Sequence, residues 1–107
     1  MSHVLLMRSS AGQWMRFSVS GHTGYAEAGQ DIVCSALSFL SITCANALEA
    51  VARLTPTVIE RDGKLEVILR ETNDRAQTIL ELFHLGIKDL QQAYPKHIRL
   101  EVSELHN

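Results

Sequence analysis

An α+β sandwich in the order ββαββαβ, with two helices on one face of a mostly antiparallel sheet, is the fold class this sequence predicts. Three observations carry it. Five short runs alternate or cluster apolar residues between turn signals, two long segments repeat apolar residues at three- and four-residue steps, and the helical segments each follow a pair of strands. At 107 residues the chain has the length of one domain, spanning 1–107, with one core of two helices on a sheet.

The elements follow in order. His3 to Arg8 and Trp14 to Ser20 flank Ser9-Ser10-Ala11-Gly12-Gln13, which has the composition of a hairpin turn. In the second run Met15, Phe17 and Val19 alternate with Arg16 and Ser18, so one face is expected to be buried. Ile32, Val33, Ala36, Leu37, Leu40, Cys44, Ala47, Leu48 and Val51 then recur with helical spacing, and Asp31 stands where an N-cap belongs. Thr57 to Arg61 and Lys64 to Arg70 flank Asp62-Gly63, a strong hairpin signal. Asn73 is placed to cap a second helix with the stripe Ala76, Ile79, Leu80, Phe83, Ile87, Leu90 and Tyr94, which Pro95 ends. Ile98 to Glu104 reads as the last strand, with Ile98, Leu100 and Val102 on one face.

The chemistry concentrates between the second strand and the first helix. Gly21, Gly24 and Gly29, half of the six glycines, fall within nine residues and form a loop that can bend sharply or approach a ligand closely. His22 lies in that loop, and Cys34 lies near the start of the helix that follows. A thiol is a strong nucleophile only as thiolate, a form favoured by a helix N-terminus and by a neighbouring imidazolium. Asp31 opposes that charge; it either caps the helix or orients His22 as a third catalytic member, and the two roles are compatible. By spacing alone, a lone cysteine at a helix start is also a common small core residue.

From Gly21 to Ser38 the chain reads GHTGYAEAGQDIVCSALS. This stretch resembles the ribosomal-processing cysteine proteases of the Prp family, with their Gly-His loop followed by an acidic-Ile-Val-Cys helix start. Thr23 and Ser35 stand where that family commonly has alanine. The resemblance implies a cysteine endopeptidase, with Cys34 as nucleophile and His22 as base, that removes the N-terminal extension of a large-subunit ribosomal protein. It also implies a homodimer and a short substrate segment rich in bulky apolar residues. Gly21, Gly24 and Gly29 become a loop that orders over the substrate. A non-catalytic ribosome-assembly or interaction module is the alternative, and a redox-sensing thiol at Cys34 is a third reading.

Other classes are less well served. The formal net charge of −2 leaves no basic footprint, so direct nucleic-acid binding is not expected, and the balance suits a positively charged polypeptide. No apolar run approaches a membrane span and no signal peptide is recognised, so a cytoplasmic protein is expected. Cys34 and Cys44 on one helix would stand about 15 Å apart along its axis, against about 4.4 to 6.8 Å between the Cα atoms of a disulfide. Cys44 belongs to the apolar stripe and reads as core, whereas Cys34 projects toward Ser38, Ser41 and Ala45. Two cysteines at that spacing do not make a structural zinc site, and no cofactor is expected. His84 reads as a flanking or interface histidine and Trp14 as a partly buried strand residue.

Overall fold

Strands β1 (Ser2–Arg8) and β2 (Trp14–Ser20) precede helix α1 (Gln30–Ala50). Strands β3 (Thr57–Arg61) and β4 (Lys64–Ile68) precede helix α2 (Asp74–Ala93), and β5 (Ile98–Glu104) closes the order. The structure, a computed structural model, describes residues 1–21 and 30–105, apart from the side chains of Gln30 and Asp31. The five strands lie in the order β3-β4-β2-β1-β5, antiparallel except for the β1–β5 pair. The two turns form as their residues dictate. Gly12 takes φ +81°, and Asp62 and Gly63 take +51° and +74°, the left-handed pair that a two-residue hairpin turn requires.

One face of the sheet is apolar and carries the helices. Val4, Leu6, Phe17 and Val67 from the strands meet Leu80, Phe83 and Ile87 from α2, and the rings of Phe17 and Phe83 lie 4.3 Å apart. Toward the Arg8 end, the β1–β2 register slips between Met7 and Arg8, so that Arg8 pairs with Trp14. A bulge of this kind re-aims a side chain. Trp14 is accordingly buried, not half-exposed as its place in an alternating strand suggested, and its indole N–H donates to Glu81 Oε1 at 2.5 Å. Gln77 fastens the same strand start, its amide donating to the Trp14 carbonyl at 2.7 Å while its Oε1 accepts from the Trp14 N–H at 2.8 Å.

Helix α1 differs from its reading in three ways. It begins at Gln30, one residue before the expected cap, so Asp31 lies within its first turn and Cys34 is the fifth helical residue. Its buried face is Val33, Leu37, Ser41, Cys44, Ala45 and Leu48, while Ile32 and Val51 are exposed at the two ends of the expected stripe. Residues Ile32–Ala50 are also long and apolar enough by composition to cross a membrane, contrary to the sequence reading; here that helix lays its inner face on the rest of the fold. Its end is an αL turn, with Arg53 in the left-handed region at φ +61° and its N–H donating to the Glu49 carbonyl at 3.1 Å, while the Leu54 N–H donates to the Leu48 carbonyl at 3.0 Å.

The helices run antiparallel. Leu40 packs on Gly86, where a methyl group would meet Leu40 Cδ2 at 2.7 Å. Cys44 Sγ lies 4.0 Å from the Ile79 carbonyl. Asn73 joins both helices: its Oδ1 accepts from the Ala76 N–H at 2.9 Å as the N-cap of α2, and its Nδ2 donates to the Ala52 carbonyl at 2.8 Å.

Candidate functional site

Helix α1 starts above the end of the sheet where β1 begins and β2 finishes. Cys34, half-buried there, borders a cleft of about 360 Å³. Leu37 and Ser38 continue the helical wall, Val19 and Leu65 supply an apolar floor, and Ser2 and Ser20 close the end. The opposite wall is the tip of the β3–β4 hairpin, from Glu60 to Lys64. The hairpin itself was legible from Asp62-Gly63, but its approach to Cys34 was not, because that neighbourhood is created by the order of strands in the sheet.

Gly21 ends β2 in a conformation that has no room for a side chain. Its φ is +90°, and a Cβ there would stand 2.5 Å from the Met1 carbonyl oxygen and 3.1 Å from His3 Cδ2. The residue was read as part of a pliable loop; the structure gives it a steric role as well, since it lets the chain pass the start of β1 beside the cleft. That start is itself tied down, the Ser2 N–H donating to the His97 carbonyl at 2.9 Å. His22, Gly24, Gly29 and the side chain of Asp31 lie outside the described residues.

The two cysteines have separated roles. Cys44 is buried, and burial pushes its thiol above the ordinary range, which keeps it neutral and unreactive. Cys34 faces the cleft near the start of α1, where the first-turn amides have no acceptor within the helix itself. Ser38 shares the cleft, whereas Ser41 and Ala45, expected on the same side, are buried, the Ser41 hydroxyl donating back to the Leu37 carbonyl at 2.7 Å. Among the described residues no three His, Cys, Asp or Glu side chains are gathered closely enough to hold a metal ion.

The geometry suits nucleophilic work on an extended chain: a thiol near a helix start with an apolar floor beneath it. Comparison with known proteins points the same way. The family model described as Cysteine protease Prp matches residues 1–99. The ribosomal processing cysteine protease Prp of Bacillus subtilis is 25% identical over 107 residues, covering 94% of this chain and 96% of that protein. Among solved structures, the essential ribosomal processing protease Prp from S. aureus, in complex with a substrate peptide, superposes with a TM-score of 0.90 at 26% identity, covering 95% of this chain and 99% of that one. SMU.848 from Streptococcus mutans superposes with a TM-score of 0.82 at 29% identity, covering 98% and 96%.

Proposed function

The chain belongs to the cysteine protease Prp family, and on that premise we propose that it removes the N-terminal extension of a large-subunit ribosomal protein during ribosome assembly in the cytoplasm. The observation that carries the proposal is the placement of Cys34, the cysteine of the Asp31-Ile32-Val33-Cys34 motif, half-buried at the apolar-floored cleft while Cys44 is sealed in the core.

The reaction divides into two halves. The imidazole of His22 takes the Cys34 thiol proton, and the sulfur attacks the carbonyl carbon of the scissile peptide. Free amides of the first turn of α1 hold the oxyanion of the tetrahedral intermediate. The intermediate collapses with rupture of the C–N bond, and the imidazolium returns its proton to the departing amine. Water, deprotonated by His22, then hydrolyses the thioester and frees Cys34. Asp31 either steers His22 or stabilises the first turn of α1.

Incubating the purified chain with the ribosomal protein of its own host, carrying its extension, and weighing the products by mass spectrometry tests the proposal. Cleavage is expected from the parent and none from Cys34→Ala, which should instead retain the substrate. Parent protein that binds the substrate without cutting it would leave the assembly-module alternative.

The working form is proposed to be a homodimer. Phe39, 72% exposed, and Ile42 on α1 lie level with Leu85 and Leu82 on α2, because Leu40 meets Gly86 and Cys44 meets Ile79. An apolar face running across two helices is what a partner subunit covers. Sedimentation should show Phe39→Glu as a monomer; an unchanged dimer would place the interface elsewhere.

A further inference from the structure

The sheet has two outer strands, and the fold treats them differently. At β5 the Leu100 N–H is taken up by Gln91 Oε1 of α2 at 2.7 Å. The edge of β3 carries no such cover. A two-residue turn joins β3 to β4, so the closing pair Arg61–Lys64, and then Ile59–Glu66 and Thr57–Ile68, exchange the ladder's hydrogen bonds. The N–H and C=O groups of Val58 and Glu60 therefore point outward, and none of them has a partner among the described residues. Pro56, two residues before Val58, offers no N–H, and the open stretch ends there.

Glu60 joins this edge to the Cys34 cleft. It stands opposite Leu65, and Leu65 opposite Val19, and all three border the cleft. Val58, the next residue on the helix side of β3, is 49% exposed, whereas Val67, Phe17 and Leu6, in register with it, are buried. A chain leaving the cleft past Glu60 thus runs onto open backbone donors and acceptors beside an uncovered apolar side chain. The tip of the hairpin carries charge of both signs, Glu60 and Asp62 against Arg61 and Lys64, so its side chains select no ion. Its backbone is what remains to be recognised, and an extended peptide carries the complementary groups at the same spacing. With five residues and two outward positions, β3 is short for pairing two copies of the chain; a peptide already anchored at Cys34 needs no more.

We infer that the outer edge of β3 holds the substrate as an added strand. A segment of the peptide a few residues from the scissile bond pairs through its main chain with Val58 and Glu60, and one of its apolar side chains lies over Val58. The inference rests on the protease reading above and adds how the peptide is held. Because these bonds are to backbone, this part of the site demands an extended segment with free N–H groups at alternate positions, and proline there breaks the pairing.

Hydrogen exchange read residue by residue on the full-length Cys34→Ala chain, with and without the peptide that the parent cleaves, tests the pairing. The Val58 and Glu60 amides should slow by about tenfold or more on adding peptide, while Ile59 and Arg61, already paired with β4, change less. A scan of peptides N-methylated at one residue at a time supplies the second readout with the parent. Beyond the residues flanking the scissile bond, kcat/KM should fall by about two- to tenfold at every second position, the net effect of one hydrogen bond, and little between them. Bound peptide that leaves Val58 and Glu60 exchanging as before, or a methylation scan without period two, would overturn the added strand alone. Protection at those amides that needs no peptide and grows with protein concentration would give the edge to a second copy and overturn it likewise. A parent that cuts no peptide would overturn the protease reading, and the added strand with it.

Discussion

At one end of the sheet β1 finishes and β2 begins beneath a set of interlocking side chains; at the other, β1 begins and β2 finishes at an open cleft. In the closed end Trp14 is bonded through its indole to Glu81 and through both backbone groups to Gln77, and its ring lies 5.0 Å from both the tilted His84 ring and the Arg8 guanidinium. In the open end Cys34, Ser20, Leu65 and Glu60 border space that no side chain among the described residues fills. The difference shows how a small chain divides labour. Packing concentrated away from the site supplies the stability, so the residues around Cys34 are free to be chosen for chemistry.

The sharpest way to break the comparison is to truncate one residue from each end. Trp14→Ala should cost about 3–5 kcal/mol, the range for large aromatic truncations in a core. That corresponds to a fall of more than about 12 °C in melting temperature, at about 4–8 °C per kcal/mol for a domain near this size. Activity measured well below the transition should persist. Cys34→Ala should do the reverse: no cleavage, and stability within about 0.5 kcal/mol of the parent, as for changes that leave core, caps and strain untouched. Thermal melts paired with the cleavage assay decide it, and a Trp14→Ala protein as stable as the parent would show that the closed end is not the anchor.

Gly21 gives a second, smaller perturbation, placed on the border of the open end. Alanine there would hold an L-residue at φ +90° with its Cβ 2.5 Å from the Met1 carbonyl oxygen. A strained backbone position of this kind costs about 1–3 kcal/mol. Part is relieved as the first residue of the chain shifts, so the lower half of that range is expected. Hydrogen exchange should localise the damage: the Ser2 amide, bonded to the His97 carbonyl, should lose protection in Gly21→Ala while the amides of α2 keep theirs. Equal protection at Ser2 would mean that Gly21 is not what seats the start of β1 beside the cleft.

The two ends were also unequally legible in the sequence. Period two in Met15, Phe17 and Val19, the Asp62-Gly63 turn and the Asn73 cap are local signals, and each element they announce formed where expected. The closed end was not readable, because nothing in the strand alternation marks the register slip that turns Trp14 inward, and the bonds that Gln77 and Glu81 make to it span more than 60 residues of sequence. Helix α1 was read in outline only. Its outer face carries Phe39 and Ile42, so hydrophobicity is spread around the helix, and periodicity could not tell Val33 and Leu48, which are buried, from Ile32 and Val51, which are exposed. Of the candidate site, Cys34 was found from its motif. The β3–β4 hairpin that faces it belongs to a different part of the chain, and only the strand order brings it there.

The smallest expected effect concerns pH and again separates the ends. Burial against Trp14 holds the His84 imidazole below its ordinary range; the charges of Lys88 and Arg8 act in the same direction, and Glu81 opposes them. The unfolded chain therefore binds this proton at a higher pH than the native one does. Between the ordinary imidazole value of about 6.5 and the lower native value, the unfolded state holds more protons, so stability rises with pH across that window. His84 thus contributes its full share above that ordinary value and loses it as the pH falls toward the native value. Glu66 behaves differently: its bond to Arg16 holds its carboxyl below the usual carboxylate range, and its contribution is lost only as the pH falls through that lower value. Melting temperatures at pH 7.5 and 5.5 isolate the histidine. The parent should melt lower at pH 5.5, and His84→Gln should reduce that drop while leaving cleavage at pH 7.5 intact, because His84 belongs to the closed end. An undiminished drop in His84→Gln would assign the acid sensitivity to another group and remove His84 from the set of side chains that the closed end keeps neutral.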